Sequence, residues 1–247
     1  MVANKIDPRS LVRSEVAHGK YLIVHGVGEI WGWETPAGKK RWARRAAMIT
    51  SHLKAGMNVL EVGCGSGYFT QELAKTGGII TAIDVSPDLL DLARSRVQQN
   101  NVTFREEDAA SLTFDNNSFD SIVGSSVLHH LDTDRALREF YRILRPGGTL
   151  CFTEPNMLNP QIAIQKNIPY LKKRMGDSPY ETAFFRYLLK KKLAKHGFKD
   201  ILIRPFDWLH PAVPERLISL IERIGFLLEK IPAICEFSGS LAIKCCK

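Results

Sequence analysis

The chain has 247 residues, of which 45% are hydrophobic and 24% are charged. This balance is typical of a folded globular protein and argues against a disordered chain, and no uninterrupted apolar run reaches the roughly 18 residues that a membrane-spanning helix needs. The net charge of +8 favours anionic partners such as phosphates, acidic lipids or nucleic acid, or else reflects solvated helix faces.

The cysteines and the N-terminus indicate a reducing compartment. The number of cysteines is odd, at five, and none has the spacing of a disulfide framework or of a zinc site. Residues 1–13 carry charges and lack the apolar segment of a secretory signal. We therefore expect a soluble, cytoplasmic protein with reduced thiols and no bound metal.

The middle of the chain alternates strand-like and helix-like segments, a pattern typical of a parallel sheet with crossover helices. The predicted strands are 58–62, 78–84, 102–105, 119–125, 149–153, 198–205 and 240–246. The predicted helices cover about 39–53, 68–75, 133–144, 188–196 and 214–232, with a further helix beginning at Ser86, Pro87 and Asp88. These elements predict an α/β fold, doubly wound around a seven-stranded, mostly parallel sheet.

Three stretches interrupt this alternation, namely residues 1–50, 155–183 and 207–238. In a doubly wound protein such stretches surround the carboxyl ends of the strands, where substrates bind. We therefore expect a single domain over 1–247 with an N-terminal helical lid and two substrate-side insertions. In the lid, the segment 31–38 contains two tryptophans that either cover a ligand or pack internally, and Arg41 is placed to reach a ligand carboxylate.

The segment 59–67 carries the strongest signal in the sequence. A buried strand runs directly into glycines at alternate positions, 63, 65 and 67, and a helix follows. Glycines there allow a tight turn and the close approach of a ligand to the backbone, and the helix start offers unpaired N–H groups.

Two acidic residues follow the next two predicted strands. Asp84 ends its strand seventeen residues past Gly67, where a carboxylate can accept hydrogen bonds from both hydroxyls of a ribose or, alternatively, cap the next helix. Asp108 follows the third strand, where it either accepts a hydrogen bond from an adenine amino group or belongs to a solvated acidic turn.

The fourth predicted strand ends in small residues that leave room for the reactive end of a ligand. Ser125 closes this strand, and His129 and His130 follow at its rim.

Together with the Arg-Pro-Gly-Gly turn at 145–148, these segments resemble the class I S-adenosylmethionine (SAM)-dependent methyltransferases, and most closely the type-11 subgroup that includes quinone-biosynthesis enzymes. The resemblance covers residues 57–154 well and the flanking parts loosely. It implies SAM as the cofactor. The implied cofactor-binding residues are Glu61, Gly63, Cys64, Gly65, Gly67, Asp84, Val85, Asp108, Ala109 and Ser125.

The resemblance also divides the cofactor among these residues. The glycine loop would face the methionine half, with Glu61 orienting the loop and the amino group, and Ser125 would line the methionine arm. Asp84 would bind the ribose, Val85 would pack on the adenine, and Asp108 and Ala109 would read the adenine edge. Cys64 is expected to pack within the loop rather than to react.

The histidines are the candidate catalytic residues. Methyl transfer from a sulfonium needs mainly the correct placement of donor and acceptor, and some acceptors must also lose a proton. His129 and His130 are the obvious bases near the strand ends, because imidazole titrates near neutral pH. The alternative is that they only shape the pocket or contact SAM.

The acceptor is the least constrained part of the prediction. The segment 214–232 predicts an amphipathic helix that packs on the domain or, alternatively, lines an apolar acceptor pocket or rests on a membrane surface. Basic runs near 172 and 190 suit an anionic head group. We expect a small-molecule, lipid-linked or glycan-linked acceptor; the alternatives are a nucleic-acid methyltransferase, although no Asn-Pro-Pro-Tyr-type motif follows the fourth strand, and a non-catalytic SAM-binding protein.

Overall fold

The computed structural model describes residues 7–26, 28 and 32–247. Its sheet has seven strands in the order β3-β2-β1-β4-β5-β7-β6, and only β7 runs antiparallel to its neighbours. The strands are β1 (Asn58–Val62), β2 (Ile79–Asp84), β3 (Val102–Glu106), β4 (Phe119–Ser125), β5 (Leu144–Pro155), β6 (Lys199–Phe206) and β7 (Ser240–Cys246). The predicted fold class is confirmed.

Nine α-helices accompany the sheet within the described residues. They are α1 (Pro8–His25), α2 (Pro36–Thr50), α3 (Tyr68–Ala74), α4 (Pro87–Arg96), α5 (Thr133–Ile143), α6 (Pro160–Asn167), α7 (Pro169–Arg174), α8 (Arg186–Lys195) and α9 (Glu215–Leu228). Among them, none combines the length and the apolar content needed to cross a bilayer.

Both faces of the sheet are covered, because successive strand residues point to opposite sides. Leu60 of β1 belongs to the core cluster that holds Phe140 of α5 and Leu193 of α8. The preceding residue, Val59, belongs to a second cluster with Ile49 of α2 and Leu73 of α3. A sheet buried on both faces leaves its strand ends as the place for a polar site.

The observed element ends follow local capping chemistry. The Ser86 hydroxyl accepts a hydrogen bond from the Leu89 N–H, and Pro87 occupies the first turn of α4, as predicted. Helix α2 begins three residues earlier than predicted, because the Thr35 hydroxyl accepts from the Gly38 N–H at 2.9 Å and Pro36 follows it.

Strand β5 is longer than predicted. The Arg-Pro-Gly-Gly turn ends α5 at Ile143, as expected, yet Leu144 already pairs with Phe119 of β4. The register then shifts, and Gly147 adopts a φ of +76°, so the extra residues form an irregularity inside the strand rather than a loop before it.

Helix α1 is an element that the sequence patterns did not predict. Leu22 of α1 packs against Leu89 of α4 in a small buried cluster. Gly19 allows this contact, since a Cβ at that position would lie 2.8 Å from Ser86 Cβ and 3.3 Å from Leu89 Cδ1. Helix α1 is thereby held over the carboxyl end of β2.

Candidate active site

A cavity of about 680 Å³ lies over the carboxyl ends of the strands, a size within the range of roughly 300–1,000 Å³ of small-molecule sites. Its walls come from the glycine loop, the ends of β2 and β4, helices α1 and α2, and both predicted insertions. The predicted site residues in its wall are Gly63, Cys64, Gly65, Asp84, Val85, Ala109, Ser125, His129 and His130. Glu61, Gly67 and Asp108 are not part of the wall.

The three glycines of the loop are needed for different structural reasons. Gly63 (φ +64°) lies against Val127, whose Cβ would be 2.9 Å from a Cβ at this position, so Gly63 permits close packing. At Gly65 (φ +52°) a Cβ would meet no atom within 4 Å, although the residue lines the cavity. Gly65 thus forms an open cradle that a ligand can fill. Gly67 (φ +82°) lies outside the wall, and a Cβ at this position would lie 3.1 Å from Ala93 Cα, so Gly67 permits close packing against α4.

Cys64 is unreactive in this setting. The thiol is buried, and burial together with the nearby carboxylates of Asp84 and Glu61 raises its pKa well above the usual value. A neutral, buried thiol is a poor nucleophile, so the expected packing role agrees with its surroundings.

Asp84 connects the glycine loop to the end of β2. Its two carboxylate oxygens accept hydrogen bonds from the Gly65 N–H at 2.8 Å and the Ser86 N–H at 2.9 Å. Because a carboxylate has about four lone-pair sites, capacity remains for two ribose hydroxyls. Helix α4 is capped by Ser86 rather than by Asp84.

The turn after β3 reaches the cavity through the neighbours of Asp108. Glu107 and Ala109 line the wall, but the Glu107 carboxylate is already bonded to Arg105 at 2.7 Å and to the Thr113 N–H at 3.3 Å. The Asp108 carboxylate accepts from the Ala110 N–H at 2.8 Å and shapes the turn. An adenine-reading role for Asp108 stays a prediction.

Glu61 lies behind the glycine loop. Its carboxyl group is buried, burial raises its pKa to about 8, and it accepts a hydrogen bond from the Thr70 hydroxyl at 2.6 Å. This contact joins the end of β1 to α3 on either side of the loop. Glu61 therefore supports the loop from the side that faces away from the cavity.

The end of β4 contributes small polar residues. The hydroxyls of Ser125 and Thr153 lie 2.9 Å apart. The next residue, Ser126, lines the cavity with a φ of +55°, a conformation that is uncommon for residues other than glycine and often found at functional sites.

His129 is held between two carboxylates. Its Nδ1 lies 2.6 Å from Glu154 Oε2 and its Nε2 lies 3.4 Å from Glu181 Oε1. Glu154 is fully buried, and its other oxygen accepts from the N–H groups of Val127 and Leu128. Burial opposes protonation of His129, but the two carboxylates outweigh it and raise its pKa to about 9. At neutral pH this imidazole is a cation that donates from both nitrogens.

His130 has a different environment. Its Nδ1 lies 3.0 Å from Glu15 Oε2 of α1, and the Ser178 hydroxyl donates to Glu15 Oε1 at 2.8 Å. Its ring lies 4.2 Å from the His129 ring and 6.2 Å from that of His18, between centroids. His130 Nε2 makes no hydrogen bond to any residue that the structure describes.

We use the name histidine cluster for Glu15, His18, His129, His130, Lys166, Asp177 and Glu181, all of which line the cavity. His129, His130 and Glu181 offer ligand atoms within 4.8 Å of one another, a spacing that a metal ion can bridge. However, the Lys166 ammonium already contacts Glu181 and lies 3.0 Å from Asp177. An ion-pair network accounts for this arrangement without a metal.

The opposite wall carries two arginines from α2. Arg41 Nε donates to Asp207 at 2.9 Å, and the buried Arg45 donates to Asp207 at 3.3 Å and to Ser240. Both guanidinium groups lie over the ring of Trp33, at 5.6 and 5.5 Å from its centroid. One carboxylate shared by two cations leaves a positive charge for a ligand anion. Of the two tryptophans of the predicted lid, Trp33 lines the cavity. Trp31 lies outside the described residues.

Several site residues were missed by the sequence patterns. Glu154 directly follows the predicted strand 149–153, and an acidic residue at the carboxyl end of a strand could have been predicted to belong to the site. Glu15, Lys166 and Glu181 come from the lid and the first insertion, where no motif singles them out.

Comparison with known proteins identifies the family of this chain. The profile of a family described as "Methyltransferase domain" matches residues 60–152. The chain is 38% identical over 205 residues to the demethylmenaquinone methyltransferase of Tropheryma whipplei, a match that covers 80% of this chain and 73% of the relative. It is 34% identical over 133 residues to the ubiquinone biosynthesis O-methyltransferase of Coxiella burnetii, covering 50% of this chain and 57% of that relative's length.

Solved structures share the fold. A SAM-dependent methyltransferase of Thermotoga maritima superposes with a TM-score of 0.67 at 18% identity, covering 93% of this chain and 97% of that one. Phosphoethanolamine N-methyltransferase 2 of Haemonchus contortus, in complex with SAM, gives a TM-score of 0.66 at 20% identity and covers 99% of this chain and 60% of that one.

Proposed function

Since this chain belongs to the class I SAM-dependent methyltransferases of type 11, we propose that it transfers a methyl group from SAM to a small-molecule acceptor held in the 680 Å³ cavity. One observation carries the proposal. The open backbone at Gly65 and the carboxylate of Asp84 meet in the wall of a single cavity, joined by their own hydrogen bond.

The residues of the cavity fit the parts of SAM. Asp84 offers oxygen acceptors for the ribose, and Leu22, Val85, Leu89 and Ala109 offer an apolar surface for the adenine. The Gly65 cradle suits the methionine arm, and the surplus positive charge of Arg41 and Arg45 suits its carboxylate. When bound, the sulfonium supplies an already activated methyl group.

The protein then acts mainly by placing the acceptor. The small residues Ser125 and Ser126 at the end of β4 leave space beside the glycine loop, and the histidine cluster borders the same cavity. Holding two reactants in line accounts for a large share of such a rate enhancement, up to about 7–11 kcal/mol of the barrier.

The cavity does not resemble a site for a strongly anionic acceptor. The basic runs predicted to hold a head group, at 172–174 and 190–195, lie outside its wall. Of the described lysines and arginines, those in the wall are Arg41, Arg45 and Lys166. Lys166 is paired with Asp177 and Glu181, and the two arginines share Asp207, their surplus charge being the one that suits the SAM carboxylate. An uncharged or weakly acidic acceptor fits these surroundings best.

A lipid-linked acceptor receives support from α9. Ile218 packs on the domain, as expected. No α9 residue lines the cavity, so the predicted alternative that this helix lines an acceptor pocket has no support. Leu220 and Leu227 are more than half exposed, and Arg216 and Arg223 lie exposed beside them. Glu215 and Glu222 balance the two arginines, so this face suits a membrane surface through its apolar side chains rather than through its charge. We expect the double variant Leu220→Glu/Leu227→Glu to lose sedimentation with phosphatidylglycerol vesicles, whereas Lys190→Glu retains it.

The cofactor proposal is tested by calorimetry on matched variants. Asp84→Asn should weaken SAM binding by more than about tenfold, because each lost charge-assisted hydrogen bond is worth roughly 1.5–3 kcal/mol. Asp91→Asn, an exposed change on α4, serves as the control and should bind as the wild type does. Equal affinities for the two variants would contradict the proposal.

The acceptor is then sought with labelled SAM over extracted lipid, small-molecule and tRNA fractions. Label in the lipid or small-molecule fraction supports the proposal, and label in tRNA alone overturns it in favour of a nucleic-acid acceptor.

A further inference from the structure

The two adjacent histidines at the end of β4 are not equivalent. His129 has both ring nitrogens facing carboxylates, 2.6 Å from Glu154 and 3.4 Å from Glu181. An imidazole in that position keeps both protons, so it has no lone pair with which to accept another. His129 is therefore excluded as the base that the sequence left open.

His130 keeps one nitrogen available. Glu15 occupies its Nδ1 at 3.0 Å and is itself fixed by the Ser178 hydroxyl at 2.8 Å. A carboxylate on Nδ1 selects the tautomer whose proton lies on Nδ1, and the lone pair is then on Nε2. The ring lines the cavity, and its Nε2 has no hydrogen-bond partner among the described residues.

We propose that Glu15 of the lid positions His130 to accept, through Nε2, the proton of a hydroxyl group on the methyl acceptor. The acceptor class is thus a weakly acidic alcohol or phenol. The inference rests on the proposed function. As the acceptor oxygen bonds to the methyl carbon, the methyl–sulfur bond breaks and its electron pair stays on sulfur, while the hydroxyl proton ends on His130 Nε2.

The groups around His130 agree with this task. Helix α1 contributes Glu15 and His18, and burial lowers the pKa of His18, which keeps that ring neutral. The histidine next to it, His129, is cationic and disfavours a second positive charge nearby. The first insertion adds Glu181, Asp177 and Lys166, in which the two carboxylates exceed the single ammonium by one negative charge. His130 therefore has one direct carboxylate partner, at Nδ1, and presents its Nε2 side to the cavity.

The positioning role is measured directly by NMR of ¹⁵N-histidine in the full chain. In the wild type we expect the neutral His130 ring to carry its proton on Nδ1. In Glu15→Ala we expect the proton to move to Nε2 in a measurable fraction of the neutral ring, because the carboxylate acceptor beside Nδ1 is lost. Lys20→Ala, an exposed change on the same helix, should leave the tautomer unchanged. A proton on Nε2 in the wild type, or an unchanged tautomer in Glu15→Ala, overturns the proposal.

The acceptor class is measured with 4-nitrocatechol, whose absorbance reports its own ionisation. In the presence of S-adenosylhomocysteine, the wild type should bind it as the phenolate at a pH at which the free probe is still neutral. His130→Ala and Glu15→Gln should lose this ionisation, while His130→Ala and wild type keep the same SAM affinity by calorimetry. A wild type without bound phenolate overturns the hydroxyl assignment.

These readouts separate two failures. A wild type that does not bind SAM defeats the proposed function, whereas the tautomer of His130 tests the role of Glu15 in either case.

Discussion

Gly65 and Gly56 share a left-handed backbone but differ in what lies beside them. Their φ angles are +52° and +80°, and a Cβ at either position would meet no atom within 4 Å. Alanine in this conformation costs about 1–2 kcal/mol at each site. Only Gly65 lines the cavity, so only there would the added methyl group occupy ligand space.

We therefore expect Gly65→Ala and Gly56→Ala to lower the free energy of unfolding by similar amounts. Gly65→Ala should in addition weaken SAM binding at least about tenfold, because a methyl group displaces the ligand from the backbone it approaches. Urea denaturation and calorimetry on the two variants measure these effects. A Gly65→Ala protein with wild-type affinity would place the cofactor elsewhere.

His129 predicts how stability changes with pH. Its pKa is raised from the ordinary 6.5 to about 9 in the folded state. Below pH 6.5 the ring is protonated in both the folded and the unfolded states, and its ion pairs contribute in full. As the pH rises from 6.5 to 9, the unfolded chain releases its proton first, so the free energy of unfolding falls by at most about 1.4 kcal/mol per pH unit.

Glu61 also lowers the free energy of unfolding as the pH rises. Burial raises its pKa from 4.5 to about 8, so between these two values the carboxyl stays protonated in the folded state while the unfolded chain has ionised it. Urea denaturation between pH 6 and 9.5 should therefore show declining stability. His129→Gln should flatten the upper part of this decline and Glu61→Gln the lower part. A stability that is flat or rises over this interval would be incompatible with a buried imidazolium.

At the scale of the elements, helix α1 depends on a close contact with the start of α4. A Cβ on Gly19 would collide with the side chain of Ser86, which caps α4 and is itself buried. Overpacking of this kind costs typically about 1–3 kcal/mol. Gly19→Ala should therefore loosen α1 from α4.

Hydrogen exchange is the measurement for this change. In Gly19→Ala the amides of α1 should exchange faster while those of the sheet keep their protection, whereas Lys20→Ala, the next residue and exposed, should leave both unchanged. Unaltered exchange in α1 would show that the helix does not depend on the contact with Ser86.

The elements also show where sequence patterns suffice. The glycine turn, the acid at the end of β2 and the cap of α4 were predictable, because each depends on neighbours within a few residues. The start of β5 was not, since Leu144 joins the sheet through its pairing with Phe119, twenty-five residues earlier in the chain. Tertiary pairing there overrode the turn signal of Pro146 and Gly147.

At the scale of the whole molecule, the cavity brings together segments far apart in the chain. The contact of His130 with Glu15 spans 115 residues, and that of Arg41 with Asp207 spans 166. Local patterns do not encode such distances, so the sequence predicted which strand ends form the site but not the charged partners that surround the histidines. The glycine-loop half of the cavity was predictable residue by residue, whereas for the lid and the insertions the sequence predicted that they surround the site but not which of their residues line it.

Helix α1 contacts both halves of the cavity, the one built by the glycine loop and the one built by the lid and the insertions. Leu22 contacts α4, the helix that follows β2 and Asp84, and Glu15, two turns earlier, contacts His130. We expect a nucleoside bound beside Leu22 to hold α1 in place and, with it, the contact of Glu15 with His130. We therefore predict an order of addition, donor first and acceptor second, with the spent nucleoside leaving last in each turnover. Steady-state inhibition by S-adenosylhomocysteine would accordingly be competitive with the donor and not with the acceptor.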